Sequence, residues 1–195
     1  MSNENTLQLF MSARSPFARR VRLALKRQNR EWKEIPLDVF QNNPDLEKFN
    51  PQGAVPTLVL ADGSALSDSS NILEFLGAFP DDFKIRQAAQ IAEGIIQSSV
   101  LYFQEKHLHE VPSERWLKEH VKCMEDSFSY LAKMPTELFL REGALTQAGW
   151  DLAVAIEYVG LRAPEIEVGG RYPNLTECLE VARQDHFFAS TKPVA

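Results

Sequence analysis

Cysteine is scarce in this chain: there are two, Cys123 and Cys178, far apart and without C-x-x-C spacing. That pattern excludes a disulfide scaffold. With no cationic-then-apolar leader at its start, the chain is expected to work in a reducing cytoplasm. Positive charge is also short, with 21 Lys and Arg against 27 Asp and Glu and a net charge of −6. A general grip on nucleic acid or on an anionic membrane needs basic clusters, so neither partner is expected. No apolar run approaches the ~20 residues that span a bilayer. Internal repeats and low-complexity segments are missing. His107, His109 and His120 lie close in sequence, but His-x-His on a helix points to different faces. No carboxylate or cysteine at ligand spacing accompanies them, so a solvated helix end is expected and no metal.

What remains is an ordinary globular composition, 44% hydrophobic and 25% charged over 195 residues, enough for a core in one large or two small domains. The opening Met1–Thr6 is polar and expected to fray. Thr6 to Met11 alternates like a first strand. Ser15 then precedes Pro16, and proline is favoured in the first turn of a helix. That places Ser15 at a strand-to-helix junction as the N-cap. Phe17, Val21, Ala24 and Leu25 share one face of this helix, while Arg19, Arg20 and Arg22 read as a salt-bridged outer face. Glu31 to Pro36 predicts a second strand, completing a βαβ unit with a parallel pair. A loop with a short helix covers Asp38 to Phe49.

The stretch from Asn50 to Leu76, NPQGAVPTLVLADGSALSDSSNILEFL, organises the rest. Pro56 stands before the run Thr57–Leu60, where a missing N–H costs no ladder bond. Asp62-Gly63 between two β-type runs is a hairpin signal. Asp68, Ser69 and Ser70 then precede an apolar helical face through Leu76. Free N–H groups and partial positive charge at such a helix start make it a place where anions dock.

After Phe79-Pro80 strand signals vanish and amphipathic helices dominate. Phe83 to Lys106 carries a broad apolar face of Ile85, Ala88, Ala89, Ile91, Ala92, Ile95, Ile96 and Phe103. Pro112-Ser113 opens a helix whose core side is read as Trp116, Leu117, Val121, Met124, Phe128 and Leu131. Leu145 to Val159 is the most apolar helix, suited to a bundle centre. Asn174 to Glu177, after Pro173, reads as a capping box for a fourth. Cys123 and Cys178 fall in apolar helical contexts and read as packing residues. The fold class expected is α/β plus all-α, with domains at 1–79 and 84–195.

Val-Pro before a hairpin, then an acidic residue and a serine at the next helix start, resembles the N-terminal domain of the glutathione transferases. The order of a small α/β domain followed by a helical bundle, Tyr172-Pro173-Asn174-Leu175 and the closing HFFASTKP resemble bacterial members of the same family. The resemblance implies a thioredoxin-like domain and glutathione as co-substrate, with no metal. It also implies a homodimer, a detoxification role and a small-molecule electrophile. Its proline is cis, and the backbone of the preceding residue pairs with the cysteinyl unit of glutathione; here these are Val55 and Pro56. The acidic-Ser pair, Asp68 and Ser69, holds the γ-glutamyl end. The segment Ser-Pro-Phe-Ala-Arg-Arg is similar to the Ser-Pro-Phe of tau-class enzymes and the Cys-Pro-Phe of omega-class ones. On that match Ser15 stabilises the glutathione thiolate by a hydrogen bond. A free thiol titrates near ~8.5 and needs such help at neutral pH. Ser12 is the second candidate for that hydroxyl. Phe17 and Asn42 complete the glutathione-binding set, and Ser12, Tyr102 and Phe103 are assigned to the electrophile pocket.

A cysteine at position 15 would have indicated thiol–disulfide exchange, which serine disfavours. Zeta-type isomerisation and a peroxidase side activity rank below conjugation. Three departures from the family pattern stand out. Lysines common in serine-type members, which hold the glycine carboxylate of glutathione, are replaced here by Asn42 and Ala54. Arg14 is a nearby substitute cation. The Ser/Thr-x-x-Asp cap of the central helix becomes Thr146 with Gly149, which predicts a less stable second domain. The missing lysines favour a rival reading, a transferase-fold ligand-binding or protein-interaction module of the stringent starvation protein type.

Overall fold

A computed structural model describes residues 6–193. The fraying expected of the polar start, Thr6 apart, lies outside these residues. The described chain divides into two compact units. One runs through Ala78 and takes up the segment from His186 onward, and the other is Phe79–Asp185.

The first unit is built on a four-stranded sheet of order β2-β1-β3-β4. Strand β1 (Leu7–Met11) leads into helix α1 (Pro16–Arg27) and returns as β2 (Trp32–Pro36), parallel to β1 with Leu7 opposite Trp32. A four-residue helix α2 (Pro44–Glu47) follows. Then come β3 (Thr57–Val59), the Asp62-Gly63 turn, β4 (Ala65–Ser67) and helix α3 (Ser69–Phe75). Leu9, Val21, Leu25, Leu58, Ile72 and Leu73 are all fully buried, so strands and helices share one core. Phe10, Leu46 and Val59 form a second cluster, with Ile35, Leu37 and Val55 packed against it. Alternation along β1 explains the two faces, because successive side chains point opposite ways.

The second unit is helical. It contains α4 (Phe83–Leu108), α5 (Glu114–Leu131), a two-strand hairpin β5 (Leu140–Arg141) and β6 (Ala144–Leu145), α6 (Gln147–Arg162), a short α7 (Val168–Arg171) and α8 (Pro173–Gln184). Helix α6 is central: eleven of the twelve residues from Gln147 to Tyr158 are buried, with Glu157 partly so. A helix apolar all round must be covered all round.

Several expectations need correction. Trp116 is 58% exposed, and α5 turns only Met124, Phe128 and Leu131 fully inward. An apolar stripe that narrow leaves its first turns on the surface. Cys123 is exposed, whereas Cys178 is buried. Helix α8 begins at Pro173 without a side-chain cap, and Asn174 instead donates Nδ2 to the Ala132 carbonyl at 2.9 Å. The β5–β6 hairpin was not legible, being two residues a side. The closing segment, assigned to the helical domain by sequence, groups with the first unit. There α9 (His186–Ser190) packs on α1, with the Arg19 guanidinium 4.0 Å above the Phe188 ring and donating Nη2 to the Phe188 carbonyl at 3.1 Å.

That contact also overturns the outer-face reading of the arginines. Arg19, Arg20 and Arg22 are buried, at 2%, 1% and 9% exposure. Arg22 pairs side-on with Glu34 of β2, Nε to Oε1 at 3.1 Å. Buried charges persist only where they are paired and hydrogen-bonded, and each arginine here reaches a different element.

The unusual cap of α6 has a packing origin. Thr146 Oγ1 accepts from the Gly149 N–H at 3.2 Å and donates to the Leu138 carbonyl at 2.6 Å. A Cβ on Gly149 would stand 2.2 Å from the Phe139 carbonyl oxygen, a backbone atom that cannot step aside. Gly149→Ala is therefore expected to destabilise the protein by about 1–3 kcal/mol, the usual range for overpacking, despite alanine's higher helix propensity. Gly94→Ala, where a Cβ meets nothing within 4 Å, is the control and should be neutral or stabilising; urea unfolding of both variants checks the pair. Burial pushes the Cys178 thiol up to about 12, so it stays protonated at neutral pH and unreactive. An aromatic disulfide reagent should titrate one thiol per native chain, lost in Cys123→Ser, and two in denaturant.

Candidate functional site

Sheet register assembles the site. Phe10 stands opposite Thr57, and Thr57 opposite Ser67. The exit of β1, the entry to β3 and the exit of β4 therefore share one edge of the sheet, with neighbouring strands about 4.8 Å apart. Ser12 to Ser15 leave that edge, Val55-Pro56 arrive at it, and Asp68-Ser69 leave it. Residues some forty positions apart in sequence are brought side by side.

Ser15 is the N-cap of α1, as its sequence position implies. Its Oγ accepts from the Ala18 N–H at 3.2 Å, and its own N–H donates to the Ser12 carbonyl at 3.0 Å. The cap uses the hydroxyl as an acceptor. Among the described residues none accepts the Ser15 O–H, which is left as a donor at a helix N-terminus. Ser12 is 5% exposed, and its Oγ accepts from the Arg14 N–H at 3.3 Å. Phe17 is half-buried in the first turn of α1.

The Val55–Pro56 peptide bond is cis. The loop before it is held by a polar network that sequence reading passed over. Asn50, 3% exposed, donates Nδ2 to the Ala54 carbonyl at 3.1 Å and to Thr57 Oγ1 at 3.0 Å. Thr57 Oγ1 in turn donates to the same Ala54 carbonyl at 2.9 Å. Ala54 thus anchors the loop through its backbone. The only signals were Asn50 before proline and Thr57 opening the strand, both common in turns. Asn42 is exposed in the loop before α2, where its neighbour Asn43 bonds the Asp38 and Gln41 carbonyls.

At the third corner Asp68 caps α3, accepting from the Ser70 N–H at 2.8 Å and the Asn71 N–H at 3.4 Å. Its backbone sits at φ 72°, a left-handed conformation rare outside glycine and asparagine and one that collects at functional sites. Ser69 is 1% exposed and its Oγ accepts from Arg20 Nη1 at 2.9 Å. Arg20 Nη2 reaches Ser70 Oγ at 3.5 Å. Arg20, expected on a salt-bridged outer face, is thus a buried cation behind the α3 N-terminus. A hydroxyl that accepts from a cation is polarised into a better donor.

Tyr102 and Phe103 belong to the second unit. Tyr102 is 5% exposed, and its hydroxyl donates to Glu165 while accepting from Lys106 Nζ at 2.9 Å. Burial first, and then the Glu165 carboxylate, raise the tyrosine above its ordinary value. Burial works against Glu165, but the Tyr102 hydroxyl and Lys106 outweigh it and hold the carboxyl low. The Arg162 guanidinium lies 4.2 Å from the Phe103 ring. Both aromatic side chains are held in place by charged neighbours. Among the described residues no group of three or more His, Cys, Asp or Glu is arranged to hold a metal, and no helix is long and apolar enough to cross a membrane.

Known proteins share this fold. The family model for the glutathione S-transferase N-terminal domain matches residues 14–78. Glutathione S-transferase 1 of Dianthus caryophyllus is 32% identical over 154 residues, covering 69% of this chain and 68% of that protein. Glutathione S-transferase Z2 of Arabidopsis thaliana is 32% identical over 104 residues, 48% of this chain and 46% of the other. A glutathione transferase family member from Pseudomonas fluorescens Pf-5, solved with bound glutathione, superposes with a TM-score of 0.86 at 25% identity, covering 97% of this chain and all of that one. A Methylobacillus flagellatus glutathione S-transferase with glutathione bound shares the fold at TM-score 0.87 and 22% identity. With a sheet edge of this build and a relative matched over two thirds of its length, the chain belongs to the glutathione S-transferase family.

Proposed function

We propose that this protein conjugates glutathione to a small electrophile, with Ser15 stabilising the thiolate. The observation that carries the reading is the Ser15 hydroxyl, a donor left over at a helix N-terminus on the sheet edge shared by Val55-Pro56 and Asp68-Ser69. Both the hydroxyl and the helix start favour a thiolate over a thiol. Glutathione lies along that edge in this proposal. Its cysteinyl backbone pairs with Val55 beside Pro56, its γ-glutamyl end meets Asp68 and Ser69, and Phe17 and Asn42 flank it. Pocket roles for Ser12, Tyr102 and Phe103, a homodimeric state, a cytoplasmic location and a detoxification role belong to the same proposal.

The chemistry needs little more from the protein. Ser15 attacks nothing; it lowers the sulfur's proton affinity and fixes its position, and the electrophile is oriented above it. Arg20 acts at one remove, holding Ser69 in the orientation that meets the γ-glutamyl carboxylate. Asp68 supplies charge for the amine while its cap keeps α3 in place.

Three outcomes are expected. Ser15→Ala should lower kcat/KM for chlorodinitrobenzene by about a hundredfold or more, as for loss of one preorganised donor, and abolish the ultraviolet thiolate band of bound glutathione. Ser69→Ala should weaken glutathione binding by calorimetry by about one to two decades, the value of a charge-assisted hydrogen bond. Arg20→Lys keeps the charge but loses the fork that reaches both serines, and should raise KM for glutathione with little change in kcat. Absence of binding at about 10 mM glutathione, a free energy weaker than about −3 kcal/mol, would overturn the proposal and favour the non-catalytic module.

A further inference from the structure

Glutathione carries a carboxylate at each end. With its γ-glutamyl end at Asp68 and Ser69 and its cysteinyl unit at Val55, the tripeptide runs along the sheet edge from β4 across β3. The strand order β2-β1-β3-β4 then brings the glycine carboxylate toward β1 and β2. These two strands are parallel, with Met11 opposite Pro36 and the Leu37 N–H on the Met11 carbonyl at 2.8 Å. Strand β2 therefore leaves the sheet at the same edge. Three connecting segments border that end of the edge: 12–15 after β1, 37–43 after β2 and 50–55 before β3.

Charge is sparse in these segments. They hold one cation, Arg14, and one carboxylate, Asp38. Asp38 is spent locally, its Oδ1 accepting from the Phe40 N–H and its Oδ2 from Gln41 Nε2, both at 3.1 Å. Asn43 is held on the Asp38 and Gln41 carbonyls, and Asn50 on Ala54 and Thr57. Asn42 offers a neutral donor only. Arg14 differs from all of these. Its side chain is exposed, and among the described residues nothing pairs with its guanidinium or hydrogen-bonds to it. The arginines that follow on α1 are buried and committed: Arg19 to Phe188, Arg20 to Ser69 and Arg22 to Glu34. The backbone of Arg14 is nonetheless pinned. Its N–H donates to Ser12 Oγ at 3.3 Å, and the next N–H, of Ser15, donates to the Ser12 carbonyl at 3.0 Å.

From this combination we infer that Arg14 holds the glycine carboxylate of glutathione. Its role rests on the glutathione reading and adds to it the residue that recognises the far end of the tripeptide. A carboxylate meets a guanidinium fork through two parallel N–H···O bonds. The pair is exposed and screened by salt, so it contributes moderate affinity and a clear preference for a charged glycine end. Because one pinned turn carries both Arg14 and Ser15, holding the carboxylate also sets where the sulfur lies relative to the hydroxyl.

The test compares glutathione with its glycine monoethyl ester by calorimetry on the wild-type chain, Arg14→Gln and Arg14→Lys. The ester keeps the thiol and the γ-glutamyl end and removes only the glycine charge. Wild type should bind glutathione about tenfold more tightly than the ester, the lower end of what a charge-assisted bond supplies. The gap should narrow as salt rises. Arg14→Gln should weaken glutathione about tenfold and the ester by less than about twofold, closing the gap, whereas Arg14→Lys should retain part of it. A role confined to the shape of the turn would weaken both ligands alike. The side chain is exposed and bonded to nothing internal, so both variants should stay folded by circular dichroism. Equal binding of glutathione and ester by wild type, or a loss in Arg14→Gln shared by both ligands, would overturn the inference and leave the glutathione reading standing. No binding of either ligand to wild type at about 10 mM would overturn that reading, and the role of Arg14 with it.

Discussion

The guanidinium of Arg20, fully buried behind the start of α3, is the constraint on which the first unit depends. An unpaired charge cannot be sealed from water at tolerable cost. Its neighbours must therefore bring polar groups to it, and the Ser69 and Ser70 hydroxyls do so. In satisfying the arginine they fix the N-terminus of α3 against α1. Arg19 does the same for α9 and Arg22 for β2. Three arginines within four positions of one helix tie it to three separate elements.

The sheet provides the other half of the geometry. Because Phe10, Thr57 and Ser67 are in register, three chain segments meet along one edge. Their side chains are spent economically. Ser15 caps with its acceptor and keeps its proton. Ala54, with no polar side chain, receives two hydrogen bonds on its carbonyl from Asn50 and Thr57. Asp68 caps its helix from a left-handed backbone conformation. The donors and acceptors on this edge are thus fixed by the chain itself.

The second unit follows a different logic. Helix α6 is covered on nearly every side and tolerates no Cβ at Gly149, where it meets the Phe139 carbonyl. Near its other end the same helix carries Gly160 beside open space. Family membership accounts for the architecture, but a fold shared by many proteins does not choose a ligand; that choice lies in the lining residues.

Much of the first unit was legible because its signals are local. Proline at N1 after Ser15, Asp62-Gly63 between apolar runs and Asp68 before a helical face each depend on a few adjacent residues. Those signals determined the βαβ unit, the hairpin, the caps and the order of site segments. The fate of charged side chains on α1 was decided only by tertiary structure. Whether an arginine is solvated or buried depends on what lies across from it, and those partners come from positions 34, 69, 70 and 188. The same holds for the exposure of Trp116 and Cys123, the return of α9 to the first unit, and the need for Gly149. For the arginines, Trp116, Cys123 and Gly149, local periodicity specified a helix. The packing of distant segments, which periodicity does not encode, decided which face found a partner.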